Sequence, residues 1–268
     1  MIRTWIRNVG LSGLLVGVMG CGQTTHSEKD RFEQLFSGGM QIVDLTHSLA
    51  SDGPFWPNPE GNPFRHEVLR AHPSGAASMA RYSTPEHHGT HLDAPIHSAD
   101  GQLSVDQLAT ADLFGPAAVV DVSSRSATAP DYQLSRQDLL DWETRHGRLP
   151  EGAIVLMFTG WSRKWDEPDD YRNQDDEGRM HFPGFSEEAS RFLIEERVIA
   201  GIGIDTLSVD AANAAFDTHR TVNGSGKFHL ENVANLHLLP ESGAYLIVAP
   251  IKIQGGSGGQ VRIFAAIP

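Results

Sequence analysis

Short apolar runs separated by glycine, proline and aspartate recur along most of the chain. Six of them are continuous enough to predict strands: Met40–Leu45, Ala117–Val122, Ala153–Phe158, Val198–Ile204, Ala244–Ala249 and Val261–Ala266. Continuous runs, in which apolar and polar positions do not alternate, indicate strands that are buried on both faces. The pattern therefore predicts a sheet that is covered on both sides.

Two stretches carry the signals of helices instead. Gln133–His146 contains Ser135 as a candidate capping residue and is followed by Gly147, a residue type that often ends helices. Ser186–Glu196 begins with a second candidate capping serine, and the acids of its first turn favour the helix dipole. Together with the strands, these helices indicate a single mixed α/β domain.

The segment Asp166–Gly178 is rich in acids and has no apolar period. Such a composition predicts a solvated surface loop. Calcium binding is the alternative, but the acids do not have the spacing of an EF-hand.

The first twenty residues have the features of an export signal. Arg3 and Arg7 precede an apolar stretch over residues 9–19, which matches a signal-peptide core and is too short to span a membrane. The stretch ends in Val-Met-Gly followed by Cys21, which resembles the lipobox of bacterial lipoproteins, whose cysteine is lipidated. A plain secretory signal with an incidental cysteine is the alternative.

These features predict the organisation of the chain. We expect a lipoprotein signal peptide over residues 1–21, with Cys21 as the lipidation site, a polar tether over 22–35, and one folded domain over 36–268. The protein would be exported and anchored by lipid to a bacterial membrane, on the periplasmic or cell-surface side. The lipid would be its only contact with the membrane.

Composition excludes several classes of function. The 268 residues carry 21 Lys+Arg against 34 Asp+Glu, a formal net charge of −13, which repels phosphate backbones, so we expect no nucleic-acid partner. The single cysteine excludes an internal disulfide, a cysteine-rich zinc site and a CxxC redox pair. The chain also has thirteen histidines, and their positions indicate which residues form a chemical site.

Four histidines and an aspartate fall within eleven residues, His87-His88-Gly89-Thr90-His91-Leu92-Asp93-Ala94-Pro95-Ile96-His97. One turn of helix, or a tight loop, would point His87 and His91 in the same direction. Asp93 can complete a set of two imidazoles and one carboxylate, which suits zinc, manganese or iron and leaves positions open for water and substrate. Gly89 permits positive φ or a close backbone approach, and Pro95 would end any helix and fix the approach of His97.

A second cluster lies far downstream, over 217–219 and 227–236. His219 and Glu231 could supply the remaining ligands, or a second metal that shares Asp93. Seven of the other histidines are interpreted as background: His26, His66, His72, His88, His146, His229 and His237.

The stretch from His87 to His97 resembles the His-x-Gly-Thr-His-x-Asp-x-Pro-x-His motif of the metal-dependent cyclase family, which includes bacterial kynurenine formamidases and isatin hydrolases. Further similar segments follow in order along the chain: Val43–Leu49, Thr159–Trp161, Phe182–Gly184, Gly203–Asp210, Glu231–Leu236 and Pro250–Gly258. The resemblance implies an α/β fold, a single swivelling β/β/α domain, usually assembled into homodimers or homotetramers.

The resemblance also implies roles for individual residues. The first metal would be bound by His87, His91 and Asp93, and a second, where two are present, by Asp93, His219 and Glu231. His97 would transfer the proton, and Trp56 lies where family members place an aromatic residue near the substrate. The cofactor would be zinc or manganese, one or two ions per chain.

The predicted activity is metal-dependent hydrolysis of a carbon–nitrogen (amide) bond in a small molecule. The chain is most like an arylformamidase that converts N-formylkynurenine to kynurenine in tryptophan catabolism, and a cyclic amide such as isatin is the alternative substrate. Bound zinc can lower the pKa of its water from about 16 to about 7, so that hydroxide attacks the carbonyl while His97 passes a proton to the leaving nitrogen. Glu231 could be a catalytic base or a metal ligand. Asp205, Asp210 and Asn232 are interpreted as supporting side chains.

Two rival interpretations differ in class. Gly255–Gly259 fits the G-x-S-x-G pattern of serine hydrolases, but strand-like segments flank it where a nucleophile elbow needs a strand and then a helix. A lipoprotein that binds metal or ligand without catalysis would also use His87, His91 and Asp93. It would have no need of a proton carrier such as His97, which favours the enzyme.

Overall fold

The computed structural model describes residues 37–72 and 77–268. The predicted signal peptide, Cys21 and the tether over 22–35 lie outside these residues and stay predictions. Among the described residues, no helix has the length and apolar character needed to cross a membrane.

The described residues form strands and mostly short helices. The strands are β1 Gln41–Asp44, β2 Arg65–Arg70, β3 Met79–Ser83, β4 His91–Asp93, β5 Phe114–Asp121, β6 Gln133–Leu134, β7 Ala153–Phe158, β8 Gly184–Phe185, β9 Ile199–Ile204, β10 Phe228–Glu231, β11 Ser242–Pro250 and β12 Gly258–Ile267. The α-helices are α1 Ser123–Ser126, α2 Arg136–His146, α3 Pro168–Arg172, α4 Glu187–Glu195 and α5 Asp217–Gly224. Single 3₁₀ turns occupy Pro95–His97, Val105–Gln107, Thr110–Leu113, Trp161–Lys164 and Leu236–Leu238.

Eight strands form the main sheet, in the order β1-β12-β11-β5-β7-β9-β10-β4. β5, β7, β9 and β10 run parallel to one another, whereas β11, β12 and β4 pair antiparallel with their neighbours. β12 also pairs with β4, so that the strands from β12 round to β4 close into a ring. A closed sheet has no free edge within the ring, and the short strand β4 is therefore held on both sides.

Two apolar cores follow from this closure. The interior of the ring is filled by side chains such as Leu92, Leu230 and Ile263. The outer face of the parallel strands is covered by α2 and α4, where Trp142 and Phe192 are buried. The fold is thus a barrel-like sheet with helices packed on one side.

The six predicted strands and the two predicted helices are confirmed, with ends shifted by a few residues. Ser135 caps α2 by accepting a hydrogen bond from the Asp138 backbone N–H at 3.2 Å, and Ser186 caps α4 in the same way through Ala189 at 3.1 Å. Burial on both faces is correct for β7 and β9. It is wrong for β1 and β11, because these antiparallel strands leave one face open to solvent.

The prediction of a solvated loop over Asp166–Gly178 is wrong in part. Pro168 stands at the first turn of α3, and Tyr171 in that helix is fully buried. The Tyr171 hydroxyl lies 2.9 Å from Asn232 Oδ1 and 3.0 Å from the Asp205 carbonyl oxygen. One aromatic anchor is enough to dock an otherwise acidic segment, because a buried tyrosine removes a large apolar area from water.

Candidate active site

Strands β4 and β10 place the acidic and imidazole groups of the site side by side. Alternate side chains of a strand point to opposite faces, so Leu92 and Leu230 enter the ring interior while their flanking residues face the other way. In the antiparallel register, His91 lies opposite Glu231, and Asp93 lies opposite His229. Cross-strand neighbours have Cβ atoms about 5 Å apart. The pairing of the two strands therefore assembles four polar side chains in one place.

His87 reaches the same point from a tight loop rather than from a helix. Gly89 has φ +67, and a Cβ there would lie 2.4 Å from Leu49 Cδ2, so the loop needs glycine at this position. The helical alternative for residues 87–91 is wrong, because His91 already belongs to strand β4. Pro95 does not end a helix either: it opens the 3₁₀ turn that carries His97.

Five imidazole rings surround the Asp93 carboxylate. Their nearest nitrogens lie within 3.7 Å of its oxygens: His87 Nδ1 at 2.6 Å, His229 Nε2 at 2.8 Å, His91 Nε2 at 3.1 Å, His97 Nε2 at 3.5 Å and His219 Nε2 at 3.7 Å. Asp93 is 1% exposed. A buried carboxylate with this many nitrogen neighbours is the centre of the site.

The spacing of these atoms fits a metal better than hydrogen bonds. His91 Nε2 is buried without a hydrogen-bond partner among the described residues, although it lies 3.4 Å from Glu231 Oε2. His219 Nε2 is 3.6 Å from Glu231 Oε1, which is too long for a hydrogen bond. Two ligands that each bind zinc tetrahedrally at about 2.0–2.1 Å lie about 3.3–3.5 Å apart. The donor atoms therefore converge as metal ligands do.

Hydrogen bonds orient two of the candidate ligands. His91 Nδ1 lies 2.9 Å from the Gly89 carbonyl oxygen, and His219 Nδ1 lies 2.6 Å from Asp210 Oδ2. Each contact places the proton on Nδ1 and leaves Nε2 free to bind a metal, which is the usual support for histidine ligands. Asn232 holds the same Gly89 oxygen through its side-chain amide at 2.9 Å.

His229 belongs to the site, and its interpretation as background is wrong. Its ring is completely buried. One of its ring nitrogens lies within 4.8 Å of the candidate ligand atoms of Asp93, His219 and Glu231. Its Nδ1 faces the Asn223 amide nitrogen at 3.3 Å, so Nε2 carries the proton and donates to Asp93 at 2.8 Å. The repeated tripeptide pattern of histidine, leucine and acid, at 91–93 and 229–231, is the signal in the sequence that predicts this placement.

Ser257 is another site residue that sequence reasoning did not find. Gly255–Gly259 forms a turn leading into β12, as predicted, but the Ser257 hydroxyl lies 2.8 Å from His87 Nε2 and donates to Glu86 Oε2 at 2.6 Å. The adjacent Gly258 lets the chain pass close to this ring, since a Cβ there would lie 2.7 Å from His87 Cε1. Spacing alone gives no hint of this contact, because 170 residues separate the two side chains.

The electrostatics of the cluster follow from buried opposite charges. Burial opposes the charge of His91, yet Asp93 and Glu231 outweigh it and raise its pKa to about 9. The pKa of His219 is raised to about 10, against burial, by Asp210, Asp93 and Glu231. Burial and the adjacent Asp93 raise the pKa of Glu231, whereas the surrounding histidines hold that of Asp93 below its usual value despite burial. The acids thus create a strong local preference for cations.

His97 stands at the edge of the cluster. Its side chain is 30% exposed, and its ring packs on that of His87 with centroids 3.9 Å apart. Burial in the cleft, with help from His87 and His219, lowers the pKa of His97 to about 4, although Asp93 opposes the shift. The ring is therefore neutral at pH 7.

A cleft of about 240 Å³ opens above the cluster. Trp56 and Phe216 stand in its wall, each 46% exposed, with ring centroids 6.4 Å apart. Phe216 has φ +57, a left-handed conformation that is rare for a bulky side chain and often marks functional positions. The cleft can therefore hold a flat apolar group above a polar floor.

The remaining candidates lie farther from the Asp93 carboxylate. His88 is buried in the cleft wall, parallel to the Phe64 ring at 6.3 Å. Asp205 is buried beside Thr159, away from the cleft lining. His66, His72, His146 and His237 are exposed, and His26 lies outside the described residues.

Comparisons with known proteins give the family. The Cyclase family model, described as "Putative cyclase", matches residues 43–211. Isatin hydrolase from Roseibium aggregatum is 30% identical over 256 residues, covering 88% of this chain and 95% of that protein. The structure of isatin hydrolase A from Labrenzia aggregata, bound to benzyl benzoate, superposes with a TM-score of 0.82 at 39% identity and covers 89% of this chain and 98% of that one.

A kynurenine formamidase is also among the relatives. The enzyme from Salinibacter ruber is 26% identical over 228 residues, which is 83% of this chain and 96% of that protein. The family model covers more than half of the sequence, and the donor atoms around Asp93 can hold a metal. The chain therefore belongs to the Cyclase family of metal-dependent hydrolases.

Proposed function

We propose that this protein hydrolyses the carbon–nitrogen bond of a small aromatic amide, with a cyclic amide of the isatin type as the first substrate to test. The observation that carries the proposal is the convergence of histidine and acid side chains on Asp93, at the floor of a cleft with aromatic walls. N-formylkynurenine is the second candidate, since kynurenine formamidases are among the relatives.

The residues that would hold the metal fall into two groups that share Asp93. One group is His87, His91 and Asp93, and the other is Asp93, His219 and Glu231, with zinc or manganese as the ion. A divalent ion held there would activate water and polarise the carbonyl group of the substrate. Glu231 accepts a hydrogen bond from the Val209 backbone N–H at 2.9 Å, which restrains its carboxylate and supports a ligand role over that of a mobile base.

His97 is proposed as the proton carrier. Its Nε2 stays within 3.5 Å of Asp93 while its ring is open to the cleft. A neutral imidazole in that position can take a proton from water and pass it to the leaving nitrogen. His229 keeps Asp93 in place by donating to Oδ2, and Ser257 fixes the ring of His87.

The aromatic walls favour a planar substrate. The faces of Trp56 and Phe216, which line the cleft, can stack on a fused or substituted benzene ring. A carbonyl attached to that ring would then lie over the cluster. Both isatin and N-formylkynurenine have such a ring. The isatin hydrolases are more similar to this chain than the kynurenine formamidase is, and this supports testing the cyclic amide before the arylformamidase substrate that the sequence alone favoured.

The test is turnover of isatin and of N-formylkynurenine by the full chain, with and without a chelator. We expect isatin opening that stops on chelation and returns with zinc or manganese. Turnover of N-formylkynurenine alone would make the protein an arylformamidase. If metal-loaded protein opens neither substrate but binds isatin, it is a ligand-binding protein with this fold.

The cellular location and the assembly remain separate proposals. We propose export and lipidation at Cys21, because the preceding apolar stretch and lipobox-like sequence match a lipoprotein signal. Mass spectrometry of the mature N-terminus tests this: a diacylglyceryl-modified cysteine supports it, and a different processed end rejects it. A homodimer or homotetramer is proposed from the family resemblance, and light scattering measures it.

A further inference from the structure

A second cavity lies at the end of two neighbouring parallel strands. The loops that follow β5 and β7 begin beside each other, since Asp121 pairs with Phe158. They enclose a pocket of about 480 Å³. It is lined by Ser123, Ser124, Ser126, Ala127 and Pro130 from the first loop, and by Thr159, Gly160, Trp161, Arg163 and Lys164 from the second. None of its lining residues also lines the substrate cleft. The carboxyl ends of parallel strands are a common place for ligands in α/β proteins.

Two cations of this pocket lack acidic partners. The Arg163 guanidinium makes no hydrogen bond or ion pair with the described part of the chain, whereas Arg191 and Arg197 each bind a glutamate. The Lys164 ammonium lies over the Trp161 ring, 3.4 Å from its centroid. Burial lowers the pKa of Lys164, although the charge of Asp170 opposes this. An unpaired guanidinium is unexpected in a chain with a net charge of −13, where acids are plentiful.

A buried hydroxyl in the same pocket also lacks a partner. Ser126 is 2% exposed, and its Oγ has no hydrogen-bond partner among the described residues. An unsatisfied buried polar group costs about 1–3 kcal/mol. By contrast, the Thr159 hydroxyl is already committed, since it donates to Asp205 Oδ1 at 2.6 Å. The Ser126 hydroxyl is therefore available to donate a hydrogen bond to a ligand in the pocket.

The backbone leaves room between the two loops. Gly160 has φ +78, and the position of a Cβ on it would be 3.4 Å from Ser123 Cβ and 4.0 Å from Arg163 Nη1. The Ser123 side chain and the guanidinium therefore flank a gap that a side chain at 160 would fill. The nearest acid of the first loop, Asp121, accepts the Ser123 backbone N–H at 2.9 Å.

We propose that this pocket binds a phosphate group, either as inorganic phosphate or as the phosphoryl end of a small phosphate monoester. A guanidinium fork, an ammonium and serine hydroxyls on separate loops surround a tetrahedral oxyanion more completely than a planar carboxylate. The volume exceeds that of phosphate alone, which leaves space for an attached alcohol. The pocket would thus give the protein a second ligand besides its substrate.

Calorimetric titration of the metal-loaded full chain with inorganic phosphate tests the proposal, at constant ionic strength. We expect saturable binding that Arg163→Gln weakens at least tenfold. The matched control is Arg191→Gln, which removes an exposed arginine of α4 and should leave the affinity within twofold. Phosphate that binds at the metal would be insensitive to Arg163→Gln, so equal affinity in that variant overturns the proposal, as does the absence of binding by the wild-type chain.

Ser126→Ala separates a ligand site from a packing defect. Because the hydroxyl has no protein partner, its removal relieves an unsatisfied buried group and should not lower the thermal midpoint without phosphate, yet it should weaken phosphate binding about threefold or more. Unchanged phosphate affinity would show that the orphaned hydroxyl serves no ligand. Tighter binding of glycerol 3-phosphate than of phosphate supports a monoester, equal binding supports the inorganic ion, and tighter binding of malonate rejects the phosphate class.

Discussion

Two buried aspartates of this protein have opposite surroundings. Asp93, which is 1% exposed, is enclosed by imidazole rings, and these hold its pKa below the usual value although burial acts against them. Asp205, which is 0% exposed, accepts hydrogen bonds from the backbone N–H and hydroxyl of Thr159 at 2.9 and 2.6 Å, and burial raises its pKa. The Asp93 carboxylate is thus kept charged among imidazoles that can exchange protons or bind metal. The Asp205 carboxylate instead accepts hydrogen bonds from groups that do not move.

The comparison teaches how to separate a reactive buried acid from a structural one. Burial alone does not distinguish them. The neighbours do: the rings around Asp93 include a buried nitrogen without a partner, at His91, whereas both oxygens of Asp205 face donors from Thr159 and Ser162. An unprotonated ring nitrogen without a hydrogen-bond partner beside a charged acid indicates a cation site. An acid whose two oxygens both accept hydrogen bonds has a structural role.

The substitution Asp93→Asn should have the largest effect. The amide removes the charge shared by both groups of candidate ligands, so we expect loss of bound metal and a fall in kcat of at least about 10³-fold. Elemental analysis and turnover of isatin measure the two effects. Asp205→Asn is the matched control and should keep its metal. If Asp93→Asn retained its metal and normal turnover, the assignment of Asp93 as a metal ligand and Asp205 as a structural acid would be wrong.

Removal of the proposed proton carrier should affect rate without affecting metal content. His97→Gln is expected to lower kcat by about 10²–10⁴-fold, the usual range for a general acid or base, because its ring lies beside the cluster and opens to the cleft. His88→Gln, in the same cleft wall, is the control and should change kcat by less than about threefold. Loss of metal from His97→Gln would reassign His97 as a ligand.

The aromatic wall should act on substrate affinity. Phe216→Ala removes one ring face, and since an aromatic contact contributes about 0.5–1.5 kcal/mol, we expect KM for an aromatic amide to rise about 2- to 12-fold with kcat nearly constant. Trp56→Ala should behave similarly, and Trp56→Phe should retain most of the affinity. Steady-state kinetics with isatin give the values. A fall in kcat with constant KM would place these rings in the chemical step instead.

The structural acid should affect stability alone. Asp205→Asn turns one acceptor oxygen into a donor amide that faces the Thr159 or Ser162 backbone N–H, which costs about 1–3 kcal/mol. Urea unfolding of the metal-free protein measures this cost. A large loss of turnover at full metal occupancy would contradict the structural assignment and would connect Asp205 to catalysis.

His47 extends the comparison to a titratable group without any charged partner. Its ring stacks on Trp165 with centroids 3.8 Å apart, its Nε2 has no hydrogen-bond partner in the described chain, and burial lowers its pKa to about 4. The unfolded chain then binds more protons between about pH 6.5 and 4, so stability falls as the pH falls through this window. His47→Phe should reduce that loss by about 2 kcal/mol, as measured by urea unfolding at pH 7 and pH 4.5. An identical pH dependence would show that His47 is not responsible.

Local patterns predicted most of the fold. Apolar runs marked the central strands, and the capping serines of α2 and α4 fixed where the helices begin, because these signals act within a few residues. Ring closure by β4 and β12 could not be predicted, since it joins residues far apart in sequence. The same limit hid Tyr171, whose anchoring role depends on Asn232 and Asp205 from other segments.

The site was predictable in part for the same reason. The motif from His87 to His97 is local, and three of its histidines, His87, His91 and His97, do come together around Asp93. His229 was missed because its meaning comes from the strand register, and Ser257 because it arrives through a distant turn. Placing the two His-Leu-acid tripeptides, 91–93 and 229–231, on paired strands of a predicted sheet would have identified His229. The sequence carries no comparable signal for Ser257.

The position of β4 in the ring has a consequence for the lifetime of the folded chain. Asp93 and His229 are separated by 136 residues, so their strands can pair only after a long loop has closed, a slow step with a high entropic cost. Opening that seam separates the candidate ligands of β4 from those of β10. An ion held by both strands would therefore slow unfolding. Metal occupancy would then set the unfolding rate of the protein as well as its chemistry.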